Sequence, residues 1–266
     1  EAGETVDQAR DQRHGGHEVA RERLLARERV EPAEALVTEV LETNPRDTDA
    51  LRLRGLIQLQ RGDYAGAIGD LRAVLRDQPA SLQILRPLAT AYYRNGSRTL
   101  ARDTLDTAME VAPDSLEVRL AAAQLALEEE DADTAIDALQ AALRIDPDNA
   151  RAVDLLVGVQ LQTEDLDGAR ATAQAFANDN PDQPMGPFLS GLVARRSGDD
   201  ARAEPLLRRA LELAPGAAEP LTTLVQLLVD AERLDDATAL LQDTVELQPG
   251  NQLATQLLAR TRLASG

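Results

Sequence analysis

Residues 48–79 read TDALRLRGLIQLQRGDYAGAIGDLRAVLRDQP, and this stretch decides the fold of the chain. Apolar and small residues recur at helical spacing over residues 51–59, and Gly62 then interrupts the pattern. A second apolar stripe follows over residues 67–75. Pro79 ends that stripe, because proline lacks an N–H and clashes with the preceding helical turn. The stretch therefore predicts two helices joined by a tight turn.

A proline at the position of Pro79 recurs along the chain at a constant interval of 34 residues. The prolines that carry it are Pro45, Pro79, Pro113, Pro147, Pro181, Pro215 and Pro249. A fixed period in this range indicates a repeat array, in which each repeat buries its apolar face against its neighbours. With each proline at position 32, the predicted repeats are 14–47, 48–81, 82–115, 116–149, 150–183, 184–217 and 218–251. Polar residues that follow three of the prolines are expected to cap the next helix: Ser81, Asp114 and Asp148.

Position 20 of every repeat is alanine, at Ala33, Ala67, Ala101, Ala135, Ala169, Ala203 and Ala237. On this alanine column, the proline column and the period, residues 14–251 resemble the tetratricopeptide repeat family. The resemblance implies an all-α fold, a right-handed α-solenoid of about seven helical hairpins whose first helices line a concave groove. Residues 252–266 are expected to form a C-terminal capping helix. Residues 1–13 hold one large apolar residue, Val6, and are expected to be disordered.

The composition narrows the classes of partner. The formal net charge is −18, and all 28 basic residues are arginine. Nucleic acid is therefore an unsuitable partner, because phosphate binding needs a basic surface. The acidity indicates either a solvated surface of a salt-adapted or high-GC organism or the attraction of a basic partner. No apolar run approaches the roughly 18 residues that span a bilayer, so no transmembrane segment is predicted.

The residues that carry chemistry are sparse, and no catalytic residue, metal site or cofactor is predicted. The chain has no cysteine, and its two histidines, His14 and His17, are too few ligands for a metal site. An acidic run over residues 128–133 falls at the turn between the two helices of the fourth repeat. Acids there cap the second helix and complement its dipole, and the spacing of a calcium-binding loop is absent.

The predicted groove is the best candidate for a functional surface. Positions 2, 5, 9, 12 and 13 of each repeat lie on one face of its first helix. In the second and third repeats this face carries a basic and aromatic cluster of Arg52, Arg86, Tyr93 and Arg94. In the next three repeats it carries an apolar strip of Leu120, Leu127, Leu161, Phe188 and Leu192, followed by Arg195. The strip is either a docking surface, on which Phe188 lies off the core, or packing between successive first helices.

The sequence therefore predicts a non-catalytic scaffold that holds a segment of a protein or peptide partner in its groove. Chaperone adaptors of the family use an asparagine at position 9, which the second to seventh repeats lack, so that class is disfavoured. The alternative is a structural protein that forms homo-oligomers through its end faces. The stretches LQRGDYAGAI and AVLRDQPAS resemble bacterial cell-envelope proteins of the family, including lipoproteins of exosortase and exopolysaccharide systems. This texture favours a periplasmic or membrane-anchored location over a cytoplasmic one.

Overall fold

The structure, a computed structural model, describes residues 33–264, which are helical apart from short connections. Helix α1 covers residues 33–43. The helices that follow are α2 (Thr48–Arg61), α3 (Tyr64–Asp77), α4 (Leu82–Arg94), α5 (Arg98–Val111), α6 (Leu116–Glu128), α7 (Ala132–Ile145), α8 (Ala150–Gln162), α9 (Leu166–Asp179), α10 (Met185–Arg196), α11 (Asp200–Leu213), α12 (Ala218–Asp230), α13 (Leu234–Leu247) and α14 (Gln252–Ala264). The prediction of an all-α fold is confirmed. The expectations for residues 1–13, His14 and His17 lie outside the described residues.

The chain divides into two compact bodies, Glu1–Pro113 and Asp114–Gly266, whose described parts contain α1–α5 and α6–α14. We call them the N-terminal body and the C-terminal body. Within each body, the two helices of a hairpin pack together, and the second helix packs against the first helix of the next hairpin. Neighbouring first helices also touch, as α2 does with α4 and α10 with both α8 and α12. This order of contacts is that of a solenoid, in which each hairpin packs mainly on its neighbours.

Small residues set the distance between the helices of a hairpin. Ala67 on α3 is fully buried where α2 crosses it. A Cβ atom on Gly55 of α2 would lie 2.9 Å from Leu71 Cγ and 3.5 Å from the carbonyl oxygen of Ala67. Gly191 stands in the same relation to Leu207, at 2.9 Å. Small residues at positions 8 and 20 therefore allow the close crossing, because a larger side chain would separate the helices.

The caps of the first helices depart from the prediction in two places. Ser81 is the N-cap of α4 as expected, although its side chain makes no capping hydrogen bond. The expectation for Asp114 and Asp148 is wrong, because the N-caps of α6 and α8 are the next residues, Ser115 and Asn149. Their side chains accept hydrogen bonds from backbone amides at 3.4 and 3.0 Å. The connections after Pro113 and Pro147 are thus one residue longer than predicted.

Position 15 of each described hairpin turn adopts a left-handed backbone conformation. The residues at this position are Gly62 (φ 83°), Gly96 (φ 82°), Glu130 (φ 59°), Glu164 (φ 62°), Gly198 (φ 75°) and Glu232 (φ 59°). Glycine adopts this conformation readily, whereas an L-residue with a Cβ is strained there by about 1–2 kcal/mol. Three turns of the C-terminal body therefore carry glutamate at a position that favours glycine.

Replacing one of these glutamates should stabilise the fold. We expect Glu164→Gly to raise the free energy of unfolding by about 1 kcal/mol, because it relieves the steric strain of the left-handed conformation. Urea unfolding monitored by helical circular dichroism measures the change. Glu246→Gly, which removes the same charge from an exposed position within α13, serves as the control. That variant should lose up to about 1 kcal/mol, and an equal loss in Glu164→Gly would contradict the assignment of strain.

Candidate partner-binding surface

In the N-terminal body the predicted basic and aromatic cluster lies on α2 and α4, two first helices that contact each other. Arg52 and Arg86 occupy the same position of successive repeats, and Tyr93 and Arg94 lie at the end of α4. The Arg94 guanidinium lies over the Tyr93 ring, 5.9 Å from its centroid, within the range of a cation–π interaction. We call the outward side of α2 and α4 that carries these four residues the first-helix face.

The arginines of this body differ in how far the fold uses them. Arg54 binds Asp70 of α3 in a bidentate pair, with Nε–Oδ2 at 2.6 Å and Nη2–Oδ1 at 2.8 Å. The hydrogen bond to Asp70, which is almost fully buried, raises the pKa of the Arg54 guanidinium. Arg52, in contrast, has only a 3.9 Å contact with the exposed carboxylate of Asp49. Arg86 is exposed and has no ion pair within residues 33–264. Arg52 and Arg86, two cations of the first-helix face, are thus available to bind another molecule.

The apolar strip of the C-terminal body is largely part of the packing. Leu120 packs against a core cluster that includes Leu139 and Leu156. Leu161 and Leu192 pack against the larger core cluster around α10. Leu127 is half-buried. These positions support the interpretation that the leucines contribute to packing between helices, with only their edges on the surface.

The prediction that Phe188 lies off the core is wrong. Phe188 is only 8% exposed, and its ring belongs to the core cluster that contains Val157 of α8 and Leu224 of α12. The reason is the close approach of α10 to α9, since a Cβ atom on Gly186 would lie 2.7 Å from the Cα of Ala177. Because glycine has no side chain, the start of α10 packs closely against its neighbours, and position 5 is therefore buried in this repeat.

Arg195 is committed to a contact within the fold. Its Nη2 lies 2.6 Å from Asp230 Oδ2, and its Nη1 donates to the carbonyl oxygen of Thr223 at 3.0 Å. Both partners are on α12, so Arg195 joins the first helices of successive repeats. Arg151 of α8 makes a similar link, because its Nη2 donates to Gln124 Oε1 of α6 at 2.9 Å. These links were not predicted from the sequence, although both arginines lie at positions of the predicted groove.

The acids at the hairpin turns are used as predicted, at the start of second helices. Asp131 and Asp199 cap α7 and α11, and each accepts a hydrogen bond from a backbone amide, at 3.2 and 3.1 Å. Further along α11, Glu204 binds Arg233 of the next turn at 2.6 Å and Arg208 at 2.8 Å. The hydrogen bond from Arg233 lowers the pKa of the Glu204 carboxyl, and the one from Arg208 adds to this effect. These acids cap helices or form ion pairs, and so they stabilise the fold.

The net charge is divided very unequally between the two bodies. Residues 33–113 hold 11 acidic residues and 10 arginines, a net charge of −1. Residues 114–264 hold 27 acidic residues and 12 arginines, a net charge of −15. An anionic ligand is therefore repelled far less by the N-terminal body than by the C-terminal body.

None of the helices within residues 33–264 has the length and apolar character needed to cross a bilayer. Groups of three or more histidine, cysteine, aspartate or glutamate side chains that could hold a metal ion are also lacking in that range.

The burial of Phe188 gives a direct test of the corrected assignment. We expect Phe188→Ala to lower the free energy of unfolding by about 3–5 kcal/mol, the cost of removing a core aromatic ring. Phe176→Ala, at another buried ring of the same cluster, should cost a similar amount. Tyr93→Ala, at a half-buried ring, should cost clearly less. Thermal and urea unfolding of the three variants measure these differences, and a small loss in Phe188→Ala would contradict its place in the core.

Comparisons with known proteins agree with this geometry. Residues 58–125, 126–185 and 194–266 match a family model described as tetratricopeptide repeat, and residues 22–81 and 159–218 match a second model of the same description. No curated protein matches the chain.

Several solved structures share the fold. The chain is similar to the C-terminal part of a TPR repeat-containing protein from Cytophaga hutchinsonii, with 15% identity and a TM-score of 0.68, covering 86% of this chain and 95% of that one. Yeast Tom70 is 19% identical, with a TM-score of 0.62, over 90% of this chain and 52% of that one. YrrB, described as a TPR protein with an unusual peptide-binding site, is 14% identical, with a TM-score of 0.53 and coverage of 70% and 96%.

Proposed function

Since the chain belongs to the tetratricopeptide repeat family, we propose that it is a non-catalytic scaffold that binds a segment of a partner protein on its first helices. The fold of this family is one of protein–protein interaction, and YrrB, which shares it, is a peptide-binding member. The observation that carries the proposal is the pair Arg52 and Arg86, two neighbouring cations of the first-helix face that the fold leaves largely unused.

The chemistry of this face favours a segment that bears carboxylates. Arginine binds carboxylates through two parallel hydrogen bonds, and such charge-assisted bonds are stronger than neutral ones. Tyr93, with Arg94 stacked on its ring, offers a rigid aromatic surface of the kind that anchors interfaces. In the C-terminal body the exposed edges of Leu120, Leu127, Leu161 and Leu192 offer a candidate surface of their own, with apolar contacts. Phe188 is excluded from it by burial, and Arg195 positions α10 against α12.

The cellular location of this scaffold is proposed from the amino-acid sequences of its repeats. Their resemblance to bacterial cell-envelope proteins of the family supports a place in an envelope or polysaccharide export assembly. In such an assembly the scaffold needs no cofactor, since its task is to hold a partner rather than to transform it.

The charge-reversed pair Arg52→Glu and Arg86→Glu tests the first-helix face. We expect it to abolish capture of the partner from a lysate of the source organism, because each lost charge-assisted hydrogen bond costs about 1.5–3 kcal/mol. Helical circular dichroism should be unchanged, as neither side chain is buried. The matched control is Arg144→Glu with Arg260→Glu, two exposed positions of the C-terminal body that change the net charge equally. A protein that all three chains capture equally would remove Arg52 and Arg86 from the site.

A second candidate function, self-assembly through the end faces, is favoured by two leucines in the last two helices. Leu247 on α13 is 76% exposed and Leu263 on α14 is 85% exposed. Exposed apolar side chains of this size at one end of a repeat array are suited to stacking against another copy.

Light scattering across a concentration series tests self-assembly. If the end faces polymerise, the mass of the wild-type protein should grow with concentration, and Leu263→Glu should keep it discrete, because a buried unpaired charge opposes stacking. Leu53→Glu, at an exposed leucine of α2, is the control and should behave as wild type. A wild-type protein of constant mass over the series would exclude this role.

A further inference from the structure

A groove lies between the second helices α3 and α5 of the N-terminal body, away from the residues of the first-helix face. Its volume is about 380 Å³, within the range of ligand-binding pockets. The floor is formed by Leu85, Leu88 and Tyr92 of α4, all buried in the core. Leu75 lies on the α3 side, and Leu100 on the α5 side is 47% exposed. We call this site the second-helix groove. It offers an apolar surface for one bulky side chain.

Two cations lie on the wall formed by α3. Arg72 and Arg76 line the groove one helical turn apart, and both are exposed. Neither forms an ion pair within residues 33–264. Two like charges at this spacing repel each other, so an anion between them would stabilise both.

The opposite wall offers little to neutralise them. Its one lining carboxylate is that of Asp103 on α5, which forms no ion pair with either arginine. Thr104 and Thr107 donate their hydroxyl hydrogens to backbone carbonyl oxygens, at 2.6 and 2.8 Å. The charged and apolar groups that the groove presents to a ligand are therefore two arginines, one aspartate and the leucine surface.

The equivalent groove of the C-terminal body shows that this pattern does not follow from the repeat itself. That groove, between α11 and α13, has a volume of about 330 Å³ and shares the wall positions of Arg72, Leu75, Arg76 and Pro79, but it has no floor from a first helix. Arg208, at the position of Arg72, binds Glu204 at 2.8 Å. Glu212, at the position of Arg76, binds Arg209 at 3.0 Å. Where that groove has ion pairs, the second-helix groove has two arginines without partners.

We propose that the second-helix groove binds a segment of another protein in which a bulky apolar side chain stands beside carboxylates. The apolar side chain packs on Leu85, Leu88 and Leu100, and the carboxylates bind Arg72 and Arg76. The charge argues for this occupant, because residues 33–113, which hold the groove, have a net charge of −1, whereas the whole chain has a net charge of −18. The groove is independent of the first-helix face, so the scaffold has two places for partner segments on one set of hairpins.

The test uses the full chain and three fluorescein-labelled decapeptides. The first peptide has four carboxylates around one phenylalanine, the second has alanine in place of the phenylalanine, and the third has the four acids as their amides. Fluorescence anisotropy should show the first peptide binding at least about tenfold more tightly than the other two. Equal binding of the three peptides to the wild-type chain would overturn the proposal.

Variants locate the binding. Arg72→Glu with Arg76→Glu should weaken binding of the first peptide at least about tenfold, and Leu100→Asp should remove the preference for phenylalanine. Arg72→Gln with Arg76→Gln removes the positive charges, keeps the side chains long and adds no negative charge to α3. This variant should also weaken binding, which shows that the loss does not come from a disturbance of α3 by the reversed charges. The control, Arg144→Glu with Arg260→Glu, should stay within about twofold of wild type. An equal loss in the control, or a larger loss in Arg52→Glu with Arg86→Glu than in Arg72→Glu with Arg76→Glu, would overturn the assignment to this groove.

A second copy of the chain is the other occupant to exclude. Sedimentation equilibrium without peptide should show that Arg72→Glu with Arg76→Glu leaves the mass of the protein unchanged. A dimer of the wild-type chain that this variant dissociates would assign the groove to self-association and overturn the proposal.

Discussion

The close crossing of the two helices in each hairpin is the contact on which the rest of the structure depends. The alanines at position 20 from Ala67 to Ala237 are fully buried. Glycine at position 8 lets the backbones of α2 and α10 pack closely against the facing helices. Because this contact uses small side chains, the core needs few aromatic rings and the hairpins pack in sequence order. Each hairpin then keeps two outer sides, one on its first helix and one on its second. Both candidate surfaces of the N-terminal body lie on these outer sides.

The hairpins could be predicted from the sequence because the recurring alanines and prolines depend on contacts between residues of the same 34-residue repeat. It did not predict which outward positions are exposed, since that depends on how closely the next hairpin approaches. Position 5 shows the difference: it is exposed at Arg86 and half-buried at Leu120, but buried at Phe188, where Gly186 lets α10 approach α9. Arg195 could be placed on the groove side from its helix position, yet its partner Asp230 belongs to the next repeat. A pattern within one repeat does not report the separation of neighbouring repeats.

The acidity of the chain is organised by the fold, and it is concentrated in one body. Part of it caps helices or forms ion pairs, as Asp199 and Glu204 do. Part of it lies at left-handed turn positions such as Glu164, where glycine would fit with less strain. Net charge of this size keeps a protein dispersed and repels anionic segments, so an acidic partner is directed toward the N-terminal body. Both the first-helix face and the second-helix groove are in that body, and both carry arginines without strong partners.

An arginine without a partner is informative in the N-terminal body because its described residues hold 11 carboxylates for 10 arginines, enough to pair each one. Several arginines pair with a carboxylate of a neighbouring helix: Arg54 with Asp70, Arg61 with Glu34, Arg195 with Asp230. A cation that stays unpaired in such surroundings costs solvation if a neutral partner covers it, but gains charge-assisted hydrogen bonds if an acidic one does. The same argument applies to Arg86 on the first-helix face and to Arg72 in the second-helix groove. Since the two surfaces share no contacting side chains, their binding energies should add, and a partner with two acidic segments would bind more tightly than either segment alone.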